Sequence, residues 1–520
     1  MGSVIRRHAR CAAALLWVCP FACGTTADPG IGLYGAPPSG SSGGGGGSSG
    51  AGSGGGGATL SASSSGGAAA GSSGGGGPGS GSGSSGGALA DAGGDGGVAG
   101  DAGITAGGEG GAAGPWAGLR VVGTGFVDGT GAEFIPRGLG IGEWHNIESY
   151  MIDIQENSDS PGMGETELRN ALAKAMGDAG AAAFFALWEA NIVTASDVQL
   201  WASWGVNSIR LPINYHAIST ADGAYIESGF QVIDQFVGWC KANGIYVILD
   251  LHAAPGSQNC EEMSDTPDGV AHLWTQAADY RQWTIDLWQT IAKRYAGETG
   301  VGGYDLFDEP YDVESSGSFS TATGGTATLK QMYLDLTAAI RAVDPNHVLF
   351  FEGTNWSSAD GTTSGDGFAG LTPAWDPQMA YAFHKYWDDN TTAAIQPYLD
   401  LRTTANRPVW NGETGENTYA WNTAMIALLE ANKIGWNMWT YKKNDAPSDY
   451  AGPNGGSGTD RTQAYGIVEP PNYSTMTAYL LGGAMPSQSD ANTIMMAFAA
   501  NAATSKCVYN ADYVKSVFNK

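Results

Sequence analysis

The sequence predicts an α/β fold, a (β/α)8 TIM barrel with an N-terminal β-hairpin and long loops, preceded by a Gly/Ser-rich tether. Three observations carry that prediction. Short apolar strands alternate with amphipathic helices about eight times, the pattern of a closed parallel sheet with right-handed crossovers. Polar residues recur at the C-terminal ends of those strands, the face on which such barrels carry their sites. The stretch Gly303-Tyr-Asp-Leu-Phe-Asp-Glu-Pro-Tyr311 joins the two, a buried strand that runs straight into Glu309 and is stopped by Pro310.

The first residues have a different character. Arg6, Arg7 and Arg10, then the apolar Ala12 to Val18, then Phe21-Ala22-Cys23-Gly24 read as an export signal over 1–23. The apolar run is too short for a permanent membrane span. Ala22-Cys23 resembles a bacterial lipoprotein processing site, whereas Pro20 and Phe21 depart from its usual aliphatic residue. Lipidation of Cys23 and plain secretion both stay open. Residues 24–115 are almost entirely Gly, Ser and Ala. They cannot bury enough apolar surface to offset chain entropy, so a flexible linker is expected. The folded domain is expected over 116–520, large for one core but ordinary for a barrel with long loops.

A net charge of −27 and a pI near 4.4 argue against nucleic acid or anionic membrane as partners. They suit an exported protein acting on a neutral substrate; a monomer is expected, with any membrane attachment made through a lipid on Cys23. Of six cysteines, Cys11, Cys19 and Cys23 fall in the signal. Cys240, Cys260 and Cys507 can form at most one disulfide, too few for a cysteine-stapled scaffold. The sequence contains no CxxC, HExxH or dense ligand cluster, so no catalytic metal is expected.

Taken in order, Leu119–Val127 and Ala132–Arg137 form a hairpin across Asp128-Gly-Thr-Gly131. Gly138–Trp144 is the first barrel strand. Asn146–Asn191 is a long first loop with helices over Leu168–Met176 and Ala181–Ala190. Thr194-Ala-Ser-Asp197 caps a helix that turns Val198, Trp201 and Trp204 inward and ends at Gly205. Strands then run over Val206–Leu211, Ile245–Leu251, Gly303–Asp308, His347–Phe351, Met379–Phe383, Val409–Trp410 and Ile434–Trp439. Helices over Phe230–Ala242, Tyr280–Tyr295, Leu329–Val343 and Trp421–Ala431 separate them.

Arg210, His252, Asp308, Glu309, Glu352, His384, Glu413 and Trp439 therefore fall at strand C-termini. Each alone has an ordinary explanation in packing or ion pairing. Together on one face they describe a site. Glu309 and Glu413, on strands four and seven, face each other across the mouth. Glycoside hydrolysis requires such a pair, one carboxyl protonated to assist the departing oxygen and one ionised to attack the sugar carbon. Arg210 supplies a fixed positive charge to keep one ionised. Trp439 suits stacking on a sugar ring. Trp144, Trp356, Trp387 and Tyr386 are further candidate platforms, and 17 tryptophans point the same way.

These pieces resemble glycoside hydrolase family 5, the cellulase and β-glucanase family of retaining barrels. The matching motifs are I-R-L-P (209–212), D-L-H-A-A-P-G-S-Q-N (250–259), F-D-E-P (307–310), F-H-K-Y (383–386), W-N-G-E-T-G (410–415) and W-N-M-W (436–439). They stand in the family's order over most of the folded chain. The resemblance implies Glu309 as acid/base and Glu413 as nucleophile, flanked by His384 and Tyr386. It implies Arg210 and His252 as supports and Trp439 as the floor of the sugar subsite. Glu352 matches no catalytic position and is expected to orient. The family usually has Asn before the acid/base, bonding the sugar 2-hydroxyl, and this chain has Asp308. An Asp can accept from that hydroxyl, cannot donate as an amide does, and adds a negative charge beside Glu309.

The resemblance implies retaining hydrolysis of β-glucan without a cofactor, with 1,4 and 1,3 linkages both open. A β-mannanase or other β-glycan hydrolase of the same family is the alternative. A non-catalytic glycan-binding surface protein, its site weakened by Asp308, is another.

Overall fold

The computed structural model describes residues 116–154, 162–275, 279–310, 325–358, 367–386, 388–445 and 460–520. The expected signal, the linker, Cys23 and Trp387 lie outside them. Eight strands form a closed barrel: Arg137–Gly140, Ser208–Asn214, Tyr246–Ala253, Val301–Asp305, Val348–Glu352, Met379–Lys385, Val409–Gly415 and Gly435–Trp439. Every neighbouring pair is parallel, and the eighth strand closes on the first. All strands but the first and third are buried along their whole length, as expected where helices cover the outside and side chains fill the inside.

The predicted elements are present with shifted bounds. The first barrel strand is Arg137–Gly140, shorter than the expected Gly138–Trp144, and beyond it the chain leaves the sheet. The expected hairpin is instead a three-stranded antiparallel sheet. Gly123, at φ 61, turns the chain between Arg120–Val122 and Gly125–Val127, so the long first strand of the prediction is two short ones. This sheet closes the N-terminal end of the barrel, where Leu119, Val121 and Phe126 pack on Ile248, Phe350 and Trp410.

The first loop carries helices Glu165–Met176 and Asp178–Ile192, close to expectation. The helix Ala195–Trp204 begins at the predicted cap, where Asp197 Oδ2 accepts from both the backbone N–H and the hydroxyl of Thr194 at 2.7 Å. Its inward residues Val198, Trp201 and Trp204 are buried as their spacing requires. The helix Thr392–Ala405, absent from the sequence reading, contains Pro397, which reads as a breaker.

After the eighth strand the chain adds a small sheet, Lys442–Asn444 with Tyr465–Ile467 and Val508–Tyr509, and helices Tyr473–Leu480, Gln488–Asn501 and Ala511–Phe518. Lys442 fastens this extension from a buried position. Its ammonium donates to Ile192 O at 2.7 Å and to Ala502 O and Thr504 Oγ1 at 2.9 Å. Cys240 and Cys507 are free thiols, so these two are not joined to each other. Among the described residues, no helix is long and apolar enough to cross a membrane.

Candidate active site

The site is built around Arg210 on the second barrel strand, which is fully buried. Five carboxylates meet its guanidinium. Asp305 and Asp308 lie at 2.9 Å, Glu352 at 3.1 Å and Asp250 at 3.2 Å, and Glu413 is in direct contact with Nη1. A guanidinium presents donors in a rigid fork and cannot lose its proton, so it suits the centre of such a cluster.

Glu413 leaves the seventh strand almost wholly buried. Its Oε1 faces Arg210 and its Oε2 accepts from the Tyr386 hydroxyl at 2.6 Å. Burial pushes its pKa up, but the positive charges of His384, Arg210 and His252 and the Tyr386 hydrogen bond overcome this and hold it below the ordinary value. It is an ionised carboxylate with a fixed orientation.

The fourth strand ends at Asp305, so Asp308 and Glu309 lie on the turn beyond it rather than on the strand. Glu309 has φ 40, a left-handed conformation unusual for a side chain of its size. Two neighbours hold it there. Its N–H donates to Glu352 Oε2 at 2.7 Å, and its carbonyl accepts from Asn259 Nδ2 at 3.1 Å. Gln258 donates to the carbonyls of both His252 and Asp308. The Q-N of the third-strand motif thus clamps the turn that presents Glu309.

His384 joins the two glutamates. Its Nδ1 lies 2.8 Å from Glu309 Oε1 and 3.7 Å from Glu413 Oε2, while Nε2 makes an ion pair with Glu352 at 3.0 Å. Burial lowers its pKa, but the surrounding carboxylates more than reverse this, and the imidazole is held well above its ordinary value. His252 behaves in the same way between Asp250, at 2.7 Å from Nδ1, and Glu148, at 3.2 Å from Nε2.

Trp439 lies flat on His252, the rings 5.3 Å apart and 9° from parallel. Its indole N–H donates to Tyr150 Oη at 2.9 Å, and that hydroxyl donates to Glu416, which also pairs with Lys443 at 2.9 Å. The run Gly138-Leu-Gly-Ile-Gly142 acquires its reason here. A Cβ on Gly140 or Gly142 would lie 2.5 or 2.6 Å from the Trp439 ring.

Arg210, His252, Asp308, Glu309, His384, Tyr386, Glu413 and Trp439 therefore converge. Trp144 does not. Its ring packs edge-on to Phe236 and its N–H donates to Glu189 O, so it belongs to the core between the barrel and its outer helices. Trp188, Trp201, Trp288 and Trp410 are also core, and the high tryptophan count mostly reflects packing. The sequence reading did not single out Asp250, Asp305, Glu148, Tyr150 or Glu416. The first two stand on strands already recognised, and the period-2 alternation Asp250/His252 could have marked one of them. The other three lie in loops with no periodic signal.

Asp250, His252 and Asp308 bring ligand-type atoms within 4.8 Å of one another, as do Asp308, His384 and Glu413. The carboxylates of both groups are held by Arg210, and a cation among them would face its charge directly. These residues do not fit a metal.

The profile of the family Cellulase (glycosyl hydrolase family 5) matches residues 171–445. The chain belongs to glycosyl hydrolase family 5. It is an O-glycosyl hydrolase acting on β-glycosides. A beta-xylosidase of Phanerodontia chrysosporium is 30% identical over 360 residues, covering 62% of this chain and 70% of that one. A probable glucan 1,3-beta-glucosidase A of Aspergillus clavatus is 28% identical over 220 residues, covering 42% of this family 5 chain and 49% of its relative. Among solved structures, an endogalactoceramidase is 18% identical with a TM-score of 0.47, over 63% of this chain and 75% of that one.

Proposed function

We propose that this family 5 hydrolase cleaves β-glucosidic bonds in polysaccharide with retention, Glu309 serving as acid/base and Glu413 as nucleophile. One observation carries the assignment: both carboxylates flank the same nitrogen of His384, one from each side of the mouth. Retention requires a separation of about 5 to 5.5 Å, close enough for direct attack and too close for an intervening water. The two carboxyls have different partners. Glu413 is held ionised by Arg210 and Tyr386. Glu309 meets Nδ1 of His384 at 2.8 Å.

In the first step Glu309 delivers its proton to the departing glycosidic oxygen while Glu413 attacks the sugar carbon, forming a glycosyl-enzyme. In the second, Glu309 takes a proton from water, which attacks the same carbon and releases Glu413. Trp439 carries the sugar ring, and Glu148 is buried beside His252, on which that indole lies. Asp308 does not argue for a silent site. Burial raises its pKa well above the ordinary value, and a protonated carboxyl can donate one hydrogen bond as well as accept, a part of what an amide does.

β-Glucan is the favoured substrate because the D-L-H-A-A-P-G-S-Q-N segment resembles the β-glucan-active branches and a relative is named for 1,3-linked glucan. We further propose an exported monomer, with residues 1–23 as its signal and 24–115 as a tether. Reducing-sugar release from carboxymethylcellulose, laminarin, mixed-linkage glucan, xyloglucan and mannan tests the substrate, with Glu413→Ala beside wild type. The expected result is release from a glucan that falls by about four orders of magnitude or more in the variant. Release from mannan alone, or saturable binding without product, would overturn it.

A further inference from the structure

Two of the five carboxylates on Arg210 have no part in the mechanism above or in holding the turn at Glu309. Asp250 and Asp305 are register partners on the adjacent third and fourth barrel strands. Both are fully buried, and each directs Oδ2 at Arg210. The other oxygen of each, Oδ1, has no hydrogen-bond donor within the protein. The groups that face the pair are Arg210 from the second strand and His252 from the third. Asp308 follows the fourth strand, and Glu352, His384 and Glu413 come from the fifth, sixth and seventh.

Arg210 and the imidazoliums of His252 and His384 are fewer than the carboxyls packed against them, which are Asp250, Asp305, Asp308 and Glu352 with both Glu309 and Glu413. Side-by-side carboxyls in that setting ionise singly, the first negative charge opposing the second. An ionised oxygen without a donor is costly when buried, whereas a protonated one is neutral. The two donor-free Oδ1 atoms are therefore where a proton belongs.

We propose that Asp250 and Asp305 share a single proton beneath Arg210, and as positioning residues leave most of its charge to Glu413. The pair then contributes one negative charge instead of two. Loss of the shared proton to solvent would add the second and draw the guanidinium down the barrel, away from Glu413. Burial raises both carboxyls above their ordinary range even against the pull of Arg210, in keeping with a retained proton.

The proton is read by infrared spectroscopy of the full-length protein without substrate, using carbonyl-labelled aspartate to separate Asp from Glu. Asp250→Asn and Asp305→Asn preserve shape. The expected result is that either single substitution removes one protonated-aspartate band, because the remaining partner ionises, and that the double variant removes no further band. No band lost would mean that both are ionised, and a further band lost in the double variant would mean that both are protonated. Either overturns the proposal. In wild type alone, carbon-13 resonances of the two carboxyls give the same answer, two ionised signals at neutral pH overturning it without any variant.

A second readout rests on the proposed role of Glu413. The acid limb of kcat/KM should stay in place in each single variant and move to lower pH in the double variant. Movement in both single variants would show that each carboxyl is charged. Absent turnover leaves the infrared result intact, so failure of the hydrolase assignment and failure of the shared proton are distinguishable.

Discussion

The backbone N–H of Glu309 donates to Glu352 Oε2 at 2.7 Å, so one buried carboxylate fixes the backbone of the proposed acid/base. The same side chain reaches Arg210 at 3.1 Å and His384 at 3.0 Å through Oε1. Glu352 thus ties the turn after the fourth strand to the fixed charge at the centre of the site. A non-glycine residue at φ 40 costs about 1 to 3 kcal/mol and persists only where its surroundings hold it.

Glu352→Gln should lower kcat about 100-fold while KM stays within about threefold, since misplacing a catalytic group costs rate more than binding. Steady-state kinetics on a soluble glucan checks this. A kcat within about threefold of wild type would remove Glu352 from any orienting role.

Asp308 makes stability depend on pH with a defined sign. Burial raises its pKa well above the ordinary 3.8. The folded protein keeps a proton there that the unfolded chain releases above that value. The stabilisation is complete below the unfolded pKa and is lost as pH rises through the folded one. Asp308→Asn has no proton to lose. Its stability should gain on wild type as pH increases, seen as urea midpoints that diverge on the alkaline side. Parallel curves would contradict this.

The plane of Trp439 is set by Tyr150, which is anchored in turn by Glu416. Trp439→Ala should raise KM about tenfold by removing the stacking surface. Tyr150→Phe keeps a ring but drops the hydroxyl, and a rise of about fivefold is expected from one lost hydrogen bond. A Tyr150→Phe enzyme with unchanged KM would show that packing alone orients the indole.

Lys442 should matter to folding and not to chemistry. Lys442→Met leaves the Ile192 and Ala502 carbonyls without their donor, at a cost of about 3 kcal/mol. Limited proteolysis should then cut first within residues 473–518. An unchanged cleavage pattern would mean that the extension is held by its apolar contacts.

The barrel and the inner ring of the site were legible in the sequence because both follow local rules. Buried parallel strands read as apolar runs, and a polar residue ending such a run points to one face of a barrel whatever the loops do. Arg210, His252, Glu309, His384, Glu413 and Trp439 were all found in this way. Trp144 was misjudged because its position near a strand end says nothing about which side of the wall the ring takes. That depends on Phe236, remote in sequence and brought against it by the second strand–helix unit.

Strand order and the chemical types at the mouth are thus properties of the sequence alone, set by periodicity and by where each apolar run stops. Tertiary structure decided which charges share a partner. Asp250 meets Asp305 because two strands pair in a particular register. Glu352 holds Glu309 because the fifth strand passes beside the turn after the fourth. Burial then turns those distances into protonation states, and burial exists only once the chain has closed around them.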